Sequence, residues 1–289
     1  MKVNIKKAQK DFVQNLQERG KSSSTILAYS KDLDQLTKYL FGKGVTAVEE
    51  ITSEHLISFV KEIAEASKLT QKSVSRKINS IKSFYRYLMA GGLVQENVSS
   101  ALKHPKLESK DPKIMSKMEF MALREVARRD IKLYTMVEVL LQTGIRISEL
   151  SGLEVAHLDL GESATLFVPK RESQKERIVP LNKRAKEALQ KYLAEQQENS
   201  PFLFATKSGR ATLIRNIRAS MERLFKRAGL KDVTVNDLRH TFIAYQLSAG
   251  VSINTVCRVA GHKTLSTTQK YLKYLKMAKA GNKEALEEL

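Results

Sequence analysis

The segment "AGHKTLSTTQKYLKYL", residues 260–275, carries two tyrosines three residues apart behind a Gly-His pair. Ser266 and Gln269 in "STTQ" have capping-box spacing, so a helix is expected to begin near Thr267. That start puts Tyr271 in the second turn, close to the end that carries His262. Tyr274 lies almost one turn further on, beside Leu272 and Leu275, where apolar packing accounts for it. The two tyrosines therefore have different surroundings, and the rest of the chain must say what stands around Tyr271.

Upstream, "VNDLRHTF" (235–242) sets Arg239 and His240 in the first turn of another helix, with Asn236 as the expected N-cap. Asp237 there suits the positive end of the helix dipole. Further back, "TGIRISEL" (143–150) places Arg146 on a turn between a glycine-ended helix and a new helix N-terminus, a position that favours anions. Each residue alone has a plain structural explanation: an Arg146–Glu149 ion pair, a solvated Arg239, a helix-capping His262.

Other chemistries are not indicated. His55, His104, His157, His240 and His262 are scattered, and no pair has metal-ligand spacing. No glycine-rich loop runs into Lys-Ser/Thr, and no carboxylate pair suggests a two-metal nuclease. Any phosphate chemistry must neutralise charge with side chains alone. No metal or other cofactor is expected.

The 289-residue chain has a net charge of +19, which points to a polyanion such as nucleic acid. Residues 1–105 carry 17 Lys+Arg and 10 Asp+Glu, a net +7, leaving +12 for the remainder. Both halves are basic, as in a protein that grips its partner with both. The single cysteine, Cys257, excludes an internal disulfide framework and fits a reducing compartment. "MKVNIKKAQKDF" has charge without an apolar stretch, unlike a secretory signal. No apolar run approaches the ~18 residues of a membrane span. A soluble, cytoplasmic protein is expected.

The first hundred residues read as four helices. Phe12, Val13 and Leu16 share one face, and Ile26, Tyr29, Leu33, Leu36 and Leu40 share another. "ITSEHLISFVKEIAEA" and "TQKSVSRKINSIKSFYRYLMAGG" complete the bundle. "ALKHPKLESKDPKIM" then breaks the periodicity with Pro105 and Pro112. The expected division is a helical domain over 1–103, a linker over 104–115, and a second domain over 116–289 ending in a tail. Ser116 and Glu119 form a capping box that opens the second domain. Within it, Leu166–Val168 and Ile178–Val179 flank a charged turn, a hairpin signal.

Together these segments resemble the tyrosine recombinase, or phage integrase, family, and most of all its Xer-type branch. The resemblance rests on "LLQTGIRISELSGLEVAHLDL", "KERIVPL" and "VNDLRHTFIAYQLSAGVSINTVCRVAGHKTLSTTQKYLKYL", and on the two-domain layout. It spans essentially the whole chain, architecturally in the first half and motif by motif in the second. It implies a mostly α fold: a SAM-like, core-binding helical bundle, then an α+β catalytic domain with a small β-hairpin or three-stranded sheet.

The resemblance also implies a mechanism. A tyrosine attacks the scissile DNA phosphate, giving a 3′-phosphotyrosyl link and a free 5′-hydroxyl, without metal or ATP. The family nucleophile lies nine residues after the Gly-His histidine, which is Tyr271. Arg146 and Arg239 fall on the two arginines that clamp the non-bridging oxygens, and Glu149 on the acidic residue that orients the site. His262 matches the later histidine, as acid–base or phosphate-bonding group, and His240 a position with a structural part. The lysine that protonates the leaving oxygen falls on Lys170, with Lys175 as rival and Arg171 beside them. With at least three positive charges around it, Tyr271 is expected to ionise below its free pKa of ~10.

One departure stands out. The family's His-x-x-Arg motif reads Asn236-Asp237-Leu238-Arg239 here. Asparagine can donate to a phosphate oxygen but cannot act as a base near neutral pH. That feature favours a second reading, a DNA-binding protein that does not cut; a third is a topoisomerase with similar chemistry. The resemblance further implies a C-shaped clamp around double-stranded DNA and a homo-tetramer on two sites, with or without a second recombinase. Its task would be chromosome dimer resolution or mobile-element movement. The tail, with Ala285, Leu286 and Leu289 available for burial, would dock on a neighbouring protomer.

Overall fold

Apolar residues at three- and four-residue spacing fold the first unit into helices. In the computed structural model of the chain, residues 2–66, 69–106, 111–171, 174–196, 200–274 and 286–289 are described. The contacts divide it into two units, Met1–Lys110 and Asp111–Leu289. The first holds α1 (Ile5–Glu18), α2 (Ser23–Gly42), α3 (Ser53–Ala66) and α4 (Gln71–Ala90). Ile5, Ala8, Phe12 and Leu16 form the buried stripe of α1, and Phe12 meets Phe84 of α4 edge-on at 5.4 Å. Asn4, Ser22 and Thr70 cap α1, α2 and α4 by accepting backbone N–H bonds. Asp32, buried on α2, takes Lys77 Nζ at 2.9 Å and Arg76 on its other oxygen, so the buried carboxylate is paired.

The second unit is helical around a small sheet. It contains α5 (Lys117–Ala127), α6 (Ile131–Thr143), α7 (Ile147–Ser151), β1 (Leu158–Asp159), β2 (Thr165–Val168) and β3 (Arg177–Pro180). α8 (Lys183–Glu195), α9 (Ile214–Arg227), α10 (Val235–Ser248), α11 (Ile253–Ala260) and α12 (Leu265–Gln269) follow. Every residue of α6 from Thr135 to Thr143 is buried, as befits a central helix, and α8 and α10 pack on it. The strands pair antiparallel in the order β1-β2-β3, with Leu166 opposite Val179 and Val168 opposite Arg177. Leu166, Val168 and Val179 point inward while Phe167 and Ile178 are exposed, the period-two pattern of a half-buried sheet. Among the described residues no helix is long and apolar enough to cross a membrane.

Residues 111–115, read from sequence as the end of the linker, pack on the second unit. Met115 is buried there, and its N–H donates to Thr241 Oγ1 at 2.9 Å. The capping box of Ser116 and Glu119 forms as the sequence suggests.

Residues 286–289 dock on their own chain. The Gln246 amide exchanges two hydrogen bonds with the Glu287 backbone, at 2.6 and 2.8 Å. The Leu289 side chain is buried, and its carbonyl accepts from Arg124 Nη2 at 2.8 Å and Gln142 Nε2 at 3.0 Å. Leu286 packs against the same core. Leu275 and Ala285, also read as packing residues, lie outside the described residues.

Gly144 ends α6 in the left-handed conformation, φ 61°, and a Cβ there would sit 2.2 Å from the Phe242 ring of α10. Gly144→Ala should therefore add left-handed strain to a core clash, together about 2–5 kcal/mol. Urea unfolding followed by circular dichroism should show the lowered midpoint; a wild-type midpoint would contradict this packing.

Candidate active site

The site is assembled where helix ends meet. Gly144 turns the chain out of α6, so that Arg146 occupies the N-cap position of α7. Glu149, one turn later and buried, accepts the Arg146 N–H at 2.7 Å and its Nη1 at 3.2 Å. The same carboxylate accepts a bidentate pair from Arg177 of β3, at 2.8 and 2.9 Å. Burial alone would raise the Glu149 pKa, but Arg177 and Arg146 together hold it below the usual carboxylate value. Glu149 therefore stays ionised and orients two guanidiniums, in keeping with a role that does not transfer protons.

The opposite wall is the C-terminus of α11, whose last carbonyls carry the negative end of the helix dipole. Val259 O accepts from Arg177 Nε at 2.7 Å, and Gly261 O from Arg146 Nη2 at 2.8 Å. Gly261 has φ 65°, and a Cβ there would lie 2.8 Å from the Arg177 guanidinium. The glycine thus serves both the helix end and the close approach of the arginine. His262 follows directly and hydrogen-bonds Thr268 Oγ1 through Nδ1 at 2.8 Å.

Arg239, buried on α10, donates Nη1 to the Gly144 carbonyl. Burial first, then repulsion from Arg146, pushes its pKa down to about 9. It stays charged at neutral pH, in a pocket where an incoming anion would relieve that repulsion. Burial, then Arg239, Arg146 and Arg177, brings His262 down to about 4, so its ring is neutral.

Tyr271 sits just past the end of α12, before a 3₁₀ turn at Leu272–Tyr274. Only 8% of it is exposed. Its ring stacks on His262, centroids 6.2 Å apart, and meets Tyr274 edge-on at 6.3 Å. Its Oη lies 2.6 Å from His240 Nδ1. Tyr274 turns away, donating its hydroxyl to Asp111 at 2.7 Å.

Three sequence expectations are corrected. Tyr271 ionises less readily than a free tyrosine in the DNA-free protein, because burial outweighs the pull of Arg239. The helix before it is Leu265–Gln269 with Thr264 as N-cap, so Ser266 and Gln269 form no capping box and Tyr271 lies beyond the helix. The N-cap of α10 is Thr234, whose N–H and Oγ1 both donate to Asp237 Oδ2 at 2.7 Å, not Asn236. Asn236 is exposed and faces a cleft with Arg218, Glu222 and Phe225 of α9.

The two hairpin lysines stand on opposite arms of the β2–β3 hairpin. Lys170 is exposed beyond the end of β2, next to Arg171, which pairs with Gln174. Lys175 lines an open cleft of about 550 Å³ with Arg177, Cys257, Arg258, His262 and Lys263. Among the described residues no cluster of three or more His, Cys, Asp or Glu could hold a metal. Sequence reasoning missed Arg177. Its signal was available: it falls opposite Val168 at an inward strand position, where a buried arginine requires a carboxylate.

The catalytic model of the phage integrase family matches residues 113–277, and the model of its N-terminal SAM-like domain matches residues 10–92. The chain belongs to the phage integrase family. A tyrosine recombinase XerC of Bacillus licheniformis is 31% identical over 283 residues, covering 93% of this chain and 92% of that protein. The crystal structure of XerA recombinase is 28% identical, with a TM-score of 0.52 over 92% of this chain and 93% of that one. A lambda integrase tetramer bound to a Holliday junction shares the fold at 17% identity and TM-score 0.76, over 93% of this chain and 77% of that one. This integrase is a site-specific tyrosine recombinase of the Xer branch. Its mostly helical fold with a three-stranded sheet is the family fold.

Proposed function

We propose that this recombinase cuts and rejoins double-stranded DNA through a 3′-phosphotyrosyl link on Tyr271, and exchanges strands between two sites. The observation that carries the reading is the convergence of Arg146, Arg239 and His262 beside one buried tyrosine. The non-bridging oxygens of the scissile phosphate accept from Arg146 and Arg239. Their guanidiniums are fixed by Glu149 and the Gly144 and Gly261 carbonyls, so charge building on phosphorus meets donors already in place. His262 adds a phosphate hydrogen bond, and Asn236 donates from the start of α10. The 5′-oxygen takes its proton from Lys170, with Lys175 as the rival on the same hairpin. The overall charge of +19 suits a partner held mostly through phosphates.

Both units are proposed to contact DNA, and four copies to join two sites in the cytoplasm. A segment that fills its own groove, as residues 286–289 do, can fill the same groove on a neighbour. The tail is thereby suited to link protomers around the junction.

A DNA duplex nicked near the cleavage point traps the intermediate, because the short 5′ fragment diffuses away. With EDTA present and no nucleotide, a denaturation-resistant protein–DNA adduct is expected. No adduct on any cleavable site would favour a protein that binds DNA without cutting.

A further inference from the structure

The phenol of Tyr271 needs a proton acceptor, and Asn236 stands where the family motif His-x-x-Arg has a histidine. Asn236 cannot take a proton near neutral pH. Asp237 is committed to Thr234, whose N–H and Oγ1 both donate to it at 2.7 Å. His262 engages Thr268 through Nδ1 at 2.8 Å and stacks its face on the Tyr271 ring with an interplanar angle of 18°. Its Nδ1 is not directed at the hydroxyl. His240 Nδ1 is, with the phenol oxygen at 2.6 Å.

We propose that His240 is the general base for Tyr271, taking over the proton transfer that Asn236 cannot perform. This rests on the recombinase reading. As the phenol oxygen bonds to phosphorus, its proton passes to His240 Nδ1 while the P–O5′ bond breaks. The departing O5′ takes a proton from the hairpin lysine. In rejoining, the incoming 5′-hydroxyl gives its proton back to the hairpin lysine as its oxygen attacks phosphorus, and His240 returns its proton to the leaving phenol oxygen.

The surroundings keep the histidine ready to accept. Burial is the main influence, Asp237 opposes it and Arg239 reinforces it, and the ring faces Tyr271 with His262 behind. The net effect is a pKa below the ordinary value, so His240 is neutral at pH 7. The sign follows: cleavage falls as pH drops through that lowered pKa and levels off above it.

The test is single-turnover adduct formation on nicked DNA between about pH 6 and 9, with wild type, H240N, H240A and Tyr271→Phe in parallel. Wild type is expected to be flat above pH 7. H240N should be about 10²–10³-fold slower at pH 7, rising about tenfold per pH unit as solvent generates the phenolate. Added imidazole should accelerate H240A. A 5′-bridging phosphorothioate, whose thiolate leaves without a proton, should not restore H240N. Activity of H240N within a few-fold of wild type, a loss that is independent of pH, or recovery on the phosphorothioate overturns the proposal. So does loss of folding or DNA binding in both variants, which makes the histidine structural. Failure of wild type to form an adduct, or an adduct that survives Tyr271→Phe, defeats the recombinase reading instead.

Discussion

Arg239→Ala is expected to slow DNA cleavage by about 10²–10³-fold while changing DNA affinity little. The guanidinium is one positive charge among many phosphate contacts, so its share of ground-state binding is small. Its share of transition-state stabilisation is expected to be large, because the Gly144 carbonyl holds it in advance in a buried pocket. Repulsion from Arg146, part of what lowers its pKa to about 9, is relieved as negative charge grows between them. Arg239→Lys should recover little, since an ammonium cannot reproduce the fork that spans a carbonyl and a phosphate oxygen. Removal also leaves the Gly144 carbonyl without its partner, about 1–3 kcal/mol of stability. Single-turnover rates beside equilibrium binding separate these effects. A variant that lost affinity and rate in equal proportion would show an arginine that merely holds DNA.

Much of this architecture was legible in the sequence because it rests on local rules. The four helices of the first unit, the capping box at Ser116 and Glu119, the end of α6 at Gly144 and the hairpin follow from apolar spacing, caps and glycines. Family motifs then pointed to Arg146, Arg239, His262 and Tyr271, and the fold brings the arginines and histidine around the tyrosine. What was not legible depends on burial. The charge count around Tyr271 suggested an easily ionised phenol, but desolvation outweighs it. The His240–Tyr271 contact joins residues 31 positions apart and has no periodic signature. The caps at Thr234 and Thr264 show how a polar residue two places away can win a helix start. The docking of Leu289 between Arg124 and Gln142 depends on long-range packing that no local pattern reveals.

Tyr271→Phe is expected to abolish the covalent adduct entirely, since it removes the hydroxyl proposed to bond to phosphorus. Folding should be spared, because the ring keeps its stack on His262 and only the hydroxyl at His240 is lost. Tyr274→Phe should keep most of the activity, since that hydroxyl serves an exposed contact with Asp111. The most direct measurement is mass spectrometry of the trapped adduct after digestion of protein and DNA. The nucleotide remnant is predicted on the peptide bearing Tyr271, attached through the 3′-phosphate, and absent from the Tyr271→Phe protein. A remnant on Tyr274 or any other residue, or one joined through a 5′-phosphate, would contradict this assignment of the nucleophile.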